Sequence, residues 1–318
     1  MLPLIVGFGE ALIDKLPSGD VVGGAPLNFS VRAAELGNRF SCVSAIVTRI
    51  CRDPHGRQIE ALLRDSKLDL SGVQFDEKLP TGFVDVTLDR RGQPNYTIGR
   101  QVAWDAIEFD AATANLAARA SVVCFGTLVQ LGDVSAQTLY RFLSTASSAT
   151  KILDLNLRNP QPSLPTVIAS LQQADVLKCN LEELLKLAQW FSLARPLDCA
   201  AIAVQLQERF DLKAVFWTRG AEGCCWQDGS KCVVAEVPTI AAEPNADSVG
   251  AGDAACAALA LGLVRQWTPE RIVMAANLCG AYAASRRGAT TPLSDDIFKR
   301  LENGVGWHAL RLCEGRDE

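Results

Sequence analysis

Short apolar runs alternate with stretches of helical period along most of the chain. "PLIVGFGEALID" opens with a run that predicts a buried strand. "APLNFSVRAAELG" (25–37) then predicts a helix, with Gly37 as its stop. "FSCVSAIV" (40–47) reads as a second strand. "DPHGRQIEALLRDS" (53–66) carries Ile59, Leu62 and Leu63 on one face at helical spacing. The period changes in "TGFVDVTLD" (81–89), where Val84, Val86 and Leu88 alternate with Asp85, Thr87 and Asp89. With "RRGQP" as a turn and "NYTIG" (95–99) as the return, this is a half-exposed hairpin.

Buried strands then recur between helical segments, at 120–128, 150–158, 174–180 and 212–220. A hairpin follows at 223–237 around Asp228-Gly229, and the chain reads as helical from Gly252 onward. Strands alternating with helices predict an α/β protein with a mostly parallel central sheet flanked by helices. Ligands of such sheets bind beyond the carboxyl ends of the strands. No repeat or linker interrupts the 318 residues, so one domain with a small β insertion is the expected organisation.

Several polar residues fall at those predicted strand ends. They are Asp14, the alternating Asp154, Asn156 and Arg158, the Asn180-x-x-Glu183 pair, and Thr218, Gly220 and Gly223. Singly, each would pass for a cap or a turn residue. Together they point to one crevice. In "VGGAPLNFS" (22–30), Gly23 and Gly24 let backbone approach a ligand, and Asn28 offers a donor and an acceptor suited to hydroxyls.

"DSVGAGDAAC" (247–256) carries the sharpest chemical signal. Gly250, Ala251 and Gly252 leave backbone N–H groups uncovered ahead of an alanine-rich helix, which makes an anion site. Asp253 beside it repels anions, which makes sense only if it must touch a substrate next to an anion. "GAGDAA" also matches a dinucleotide fingerprint, but "AAEPNADSV" before it is polar and is no buried strand. No Walker A loop occurs in the sequence.

Composition narrows the classes. A net charge of −5 argues against broad nucleic-acid binding, while Arg158, Lys178 and Arg219 can supply positive charge locally. Eleven cysteines with no CxxC pair, beside two histidines, argue against zinc and fit a reducing cytoplasm. No apolar stretch is long enough for a membrane span.

The motifs together resemble the ribokinase-like (PfkB) carbohydrate kinases over essentially the whole chain. "GGAPLNFSVRAAELG" is similar to the family's N-terminal signature and "DSVGAGDAACAA" to its C-terminal one. "FGTLVQL", "DLNLR", "NLEE" and "TRGAEG" fall between them in family order. Within the family, "GEALID", "GGAPLN", "FGTL" and "DLNLR" resemble fructokinases most.

The resemblance implies a three-layer ribokinase-like fold with a β lid from segments near 14–22 and 80–103. It implies ATP-dependent phosphorylation of a sugar, D-fructose first. Another sugar such as 2-keto-3-deoxygluconate or ribose, or a non-catalytic sensor on the same fold, stays as the alternative. Asp253 would be the base, with the N–H groups of Gly250, Ala251 and Gly252 on the moving phosphoryl group. Asp14, Gly24, Asn28 and Arg158 would hold the substrate. Asn180, Glu183, Thr218, Gly220, Gly223 and Asn277 would serve ATP, with Glu183 on Mg²⁺ through water and Asp247 at a K⁺ site if one exists. A cytoplasmic enzyme, able to dimerise through its lid and without nucleic-acid or membrane partners, completes the expectation.

Three departures from the family pattern stand out. Ala255 replaces a frequent aromatic residue. Gly132 stands where ribokinases proper carry an acid. "RICRDPHG" (49–56) replaces a more glycine-rich stretch.

Overall fold

The computed structural model describes residues 1–16, 19–88, 94–193, 198–229, 231–303 and 310–312. The predicted "RRGQP" turn therefore lies largely outside the described residues. The backbone divides into two compact units, Met1–Ala149 with Leu157–Thr166, and Thr150–Asn156 with Val167–Glu318.

The first unit contains strands β1 (Leu4–Phe8), β2 (Leu12–Leu16) and β3 (Gly19–Gly23), helix α1 (Ala25–Phe40) and β4 (Val43–Cys51). It continues with α2 (Pro54–Asp65), β5 (Val73–Asp76), β6 (Gly82–Leu88), β7 (Pro94–Ile98), α3 (Ala111–Arg119), β8 (Ala120–Gly126) and α4 (Asp133–Thr145). Strands β8, β1, β4 and β5 lie side by side in that order, all parallel. β1 is buried throughout, as its unbroken apolar run requires. A separate sheet runs β3-β2-β6-β7, in which β2 pairs antiparallel with β3 and parallel with β6. The predicted hairpin is present as the antiparallel β6–β7 pair.

Helix α1 runs past Gly37 to Phe40, contrary to the expected stop. Ser41 closes it instead, in the left-handed conformation at φ 55°. Gly37 is needed for a different reason. A Cβ there would lie 2.5 Å from the Cys42 carbonyl oxygen, where the chain folds back on the helix.

The "RICRDPHG" stretch forms the end of β4 and the start of α2. Asp53 caps α2, accepting from the Gly56 N–H at 2.7 Å, and it also accepts from the Thr81 N–H at 2.9 Å. Burial pushes this carboxyl up, but those N–H bonds outweigh it and hold Asp53 below its ordinary value. Gly56 is obligatory, because a Cβ there would fall 1.7 Å from the Cys51 carbonyl oxygen. His55 bonds Asp20 of the small sheet at 3.0 Å.

The second unit contains β9 (Thr150–Asp154), α5 (Leu164–Gln173, beginning in the first), β10 (Val176–Asn180), α6 (Leu181–Trp190), α7 (Cys199–Phe210) and β11 (Ala214–Thr218). It ends with β12 (Cys224–Asp228), β13 (Lys231–Ala235), α8 (Ala251–Val264), α9 (Pro269–Ala284), α10 (Asp295–Asn303) and β14 (Leu310–Leu312). β9, β10 and β11 are parallel, and β12, β13 and β14 extend the sheet antiparallel. The last third is thus not purely helical, since β14 pairs with β13.

Helices α8 and α9 pack through small residues. A Cβ on Gly280 would meet the Ala255 Cβ at 3.7 Å, and one on Gly262 would meet Ile272 at 2.5 Å. Ala255 is 2% exposed, which explains why this chain has no aromatic side chain there. Ala255→Phe is expected to lower stability by about 1–3 kcal/mol through overpacking. Urea denaturation followed by circular dichroism reads this directly.

Candidate active site

In the first unit the residues expected to hold substrate come together at β2, β3 and the start of α1. Gly24 precedes α1 with φ 110°, and a Cβ on it would lie 2.6 Å from the Glu10 carbonyl oxygen. Only glycine fits both the conformation and the space. Asn28, one turn into α1, is 6% exposed. It is therefore a buried polar group and not a surface asparagine.

Asp14 sits on β2 opposite Val21, and its Oδ2 lies 2.4 Å from where a Cβ on Gly23 would be. Gly23 thus leaves the carboxylate room. Burial pushes the Asp14 carboxyl up, and the Arg158 charge acts against that shift. The two predicted substrate groups are therefore electrostatic neighbours. Because burial raises its folded-state pKa, ionised Asp14 costs stability above the unfolded value. Asp14→Asn is expected to raise the thermal midpoint of the unliganded protein at neutral pH. It should lower kcat/KM for the sugar by about 10–100-fold, as loss of a hydrogen bond to a charged group implies. Differential scanning fluorimetry and sugar titrations check the two halves.

Gly132 also has a physical cause. A Cβ there would lie 2.6 Å from the Asp105 carbonyl oxygen and 2.8 Å from its Cα. The Asp105 backbone fills the space that an acidic side chain would need. Nearby, Arg100 donates to the Leu131 carbonyl at 2.6 Å and pairs with Asp105 at 3.5 Å.

In the second unit, the residues expected to serve ATP lie at the carboxyl ends of β10 and β11, and others beside them. Asn180 and Glu183 form a reciprocal capping box at the start of α6. The Asn180 N–H donates to Glu183 Oε2 at 2.9 Å, and the Glu183 N–H donates to Asn180 Oδ1 at 2.8 Å. Glu183 is 6% exposed. Among the described residues no cluster of three or more His, Cys, Asp or Glu could cage a metal. The Glu183 carboxylate fits an ion held mainly by water and phosphates, which is how Mg²⁺ is commonly bound.

Thr218 ends β11, and Gly220 (φ 57°) and Gly223 (φ 86°) shape the turn after it. A Cβ on Gly220 would meet nothing, whereas one on Gly223 would lie 2.9 Å from the Ala235 carbonyl and 3.0 Å from Asn277 Nδ2. Asn277 directs its amide into the protein. It accepts from the Cys224 N–H at 2.8 Å and donates to the Ala235 carbonyl at 2.7 Å. It ties α9 to the β12–β13 hairpin and so sets the position of Gly223. Asp247 likewise accepts from two backbone N–H groups, those of Val249 at 3.0 Å and Gly288 at 3.2 Å. It joins the two loops before α8 and after α9.

Gly250 caps α8 at φ 76°, and a Cβ there would lie 2.6 Å from the Ala289 Cα. Ala251, Gly252 and Asp253 are the first three residues of α8, and all three are partly exposed. Contrary to the expectation of bare backbone, the Ala251 N–H donates to the Ser248 carbonyl at 3.2 Å. Asp253 stands in the first turn of α8, at the positive end of the helix dipole.

Two features escaped sequence reasoning. Asp154 and Arg158 do not alternate out of one strand, because β9 stops at Asp154 and Asn156 turns left-handed at φ 38°. Asp154 is instead buried against Lys178, its two carboxylate oxygens each 2.9 Å from Nζ. No sequence spacing signals that pair, since the residues are on neighbouring strands of a parallel sheet.

The pattern of the pfkB family carbohydrate kinases matches residues 19–296. Fructokinase-1 of Oryza sativa subsp. japonica is 28% identical over 94% of this chain and 98% of its own. The Fructokinase of Klebsiella pneumoniae is 27% identical over 92% of this chain and 98% of its own. In fold, the chain superimposes on the fructokinase from Xylella fastidiosa with bound ATP at a TM-score of 0.79. That match has 23% identity and covers 96% of this chain and 99% of the other. It has the ribokinase-like fold, with a mostly parallel sheet, flanking helices and a smaller separate sheet. A family match that runs from residue 19 to 296 leads to one conclusion: the protein belongs to the pfkB family of carbohydrate kinases and is a phosphotransferase acting on a sugar hydroxyl.

Proposed function

We propose that the chain transfers the γ-phosphoryl group of ATP to a hydroxyl of D-fructose. The observation that carries this reading is the start of α8. The glycine-flanked helix start at Gly250–Gly252 and Asp253 lie within one helical turn, as proton abstraction beside a moving phosphoryl group requires. Asp253 takes the proton from the sugar hydroxyl. The N–H groups of Gly250 and Gly252 receive the charge that develops on the phosphoryl oxygens, joined by that of Ala251 if it turns from the Ser248 carbonyl it donates to at 3.2 Å. Asp14, Gly24, Asn28 and Arg158 orient the sugar. Thr218, Gly220 and Gly223 border the triphosphate and ribose, Asn180 faces the phosphates, and Asn277 acts by holding the hairpin in place.

Glu183 would hold Mg²⁺ through water, and the ion would neutralise phosphate charge there. Asp247 contributes to a K⁺ site by holding together the two loops that it bridges. The family match runs through both compact units, so the reaction is assigned to the chain as one kinase domain.

Fructose is favoured by the fructokinases named among the relatives and by the filled space at Gly132, which disfavours a ribokinase-type acid. The small β3-β2-β6-β7 sheet is read as a lid that excludes water. Val21, 42% exposed on β3, would be covered if two copies paired through it. The reading places the enzyme in the cytoplasm, and no helix among the described residues is long and apolar enough to cross a membrane.

The test is ADP release from ATP-Mg²⁺ across fructose, 2-keto-3-deoxygluconate, ribose and nucleosides, with and without K⁺. Fructose is expected to give the highest kcat/KM. If another sugar leads, the fructose assignment fails and the kinase reading stands. ATP binding without any acceptor-dependent turnover would mean a sensor.

A further inference from the structure

Lysines are almost never fully buried without a partner, because desolvation opposes their charge. Lys178 on β10 is 7% exposed. Asp154 on β9 grips its ammonium with both carboxylate oxygens at 2.9 Å. On another side Nζ faces the start of α8, 3.3 Å from where a Cβ on Gly252 would be. The ammonium thus lies against the backbone that forms the anion site. Burial opposes its charge, but Asp154, Cys256 and Asp253 together outweigh that and hold its pKa above the ordinary lysine value.

The groups around this ammonium come from every packed element. Asp154 is on β9, and Asp253 and Cys256 are on α8. Cys179 follows on β10, its thiol pushed well up by burial, with Glu183 of α6 adding to the shift. Cys224 on β12 is pushed up to about 12 by burial, with Cys225 adding to the shift and Lys178 and Arg219 opposing it. Lys178 is the one cation of this set that is itself buried and fixed by a two-oxygen ion pair.

We propose that Lys178, anchored by Asp154, is a positioning residue that keeps Asp253 ionised when the triphosphate's negative charge arrives beside it. A polyanion near a carboxylate favours its protonated form, and a fixed cation opposes that. In the step itself the sugar hydroxyl gives its proton to Asp253, and its oxygen bonds to the γ-phosphorus. The bond from that phosphorus to the bridging oxygen breaks, and ADP leaves with the electron pair. Lys178 keeps its own protons throughout. The proposal rests on Asp253 being the base.

The test follows kcat against pH, with ATP-Mg²⁺ and sugar saturating, for the wild type, Lys178→Arg, Asp253→Asn and the double variant Asp154→Asn with Lys178→Met. The double variant removes the pair without stranding a buried charge. Its acid limb is expected to move up by about one pH unit, a tenfold change in ionisation, with KM for ATP altered less than about threefold. Lys178→Arg, which keeps the charge, should retain the wild-type limb. An unmoved limb in the double variant overturns the proposal, whatever happens to the plateau. So does a large rise in KM for ATP at unchanged kcat, which would mean that Lys178 contacts the nucleotide.

Should the double variant not fold, carbon-13 carboxyl NMR of the wild type with a non-hydrolysable ATP analogue and sugar decides. Asp253, assigned by its absence in Asp253→Asn, must then be ionised at neutral pH, and a protonated Asp253 overturns the proposal. Full turnover in Asp253→Asn would instead remove the base assignment, and this proposal with it.

Discussion

Asp253→Asn lowers kcat by about 10²–10⁴-fold, the contribution of a positioned general base, while KM for ATP and for the sugar change little. The reason is geometric. Asp253 is the third residue of α8, so its backbone N–H belongs to the same first turn as the anion site. Asparagine keeps that N–H, the size of the side chain and the helix. It loses only the ability to accept the proton. Binding should therefore survive while the chemical step fails, which places the loss in kcat. Initial rates by coupled ADP detection, with thermal unfolding as a check that the variant folds, measure it. A fall in affinity with kcat preserved would show that the carboxylate binds but does not act as a base.

Lys178→Met alone is expected to cost about 3–5 kcal/mol of stability, because it strands the buried Asp154 carboxylate. Asp154 is 6% exposed, and both its carboxylate oxygens accept from Lys178 Nζ. Neutralising both residues should recover much of that loss, since the desolvation penalty of both charges then disappears. Guanidinium titrations of the single and double variants form a double-mutant cycle. A single variant as stable as the double would mean that water reaches Asp154 and the pair is not truly buried. The pair is thus expected to cost the protein a stability that matters less than the charge it places under the helix.

The parallel strands and their order of appearance were legible because a strand buried on both faces must be almost wholly apolar, as β1 is throughout and β8 and β11 are apart from Ser121 and Thr218. The sharp turn into α8 was legible for a related reason. Gly250 and Gly252 are permitted only where backbone must stay bare, and that requirement is local. Other features were not. Gly37 read as a helix stop, yet the conformation that ends α1 is taken by Ser41, and Gly37 serves a contact with the returning chain. Nor did the sequence signal that the Asn277 amide bonds the β12–β13 hairpin.

By itself, the sequence determined most of the strands and helices and the turn into α8, though not every boundary, because periodicity and glycine placement act through neighbours along the chain. It also determined the family, through motifs kept in order. Only the tertiary structure decided which charges meet. Asp154 and Lys178 are 24 positions apart and become partners because β9 and β10 are adjacent in register, with Lys178 directly across from Asp154. Burial then makes their encounter strong, since a charge removed from water is stabilised only by what the fold sets beside it.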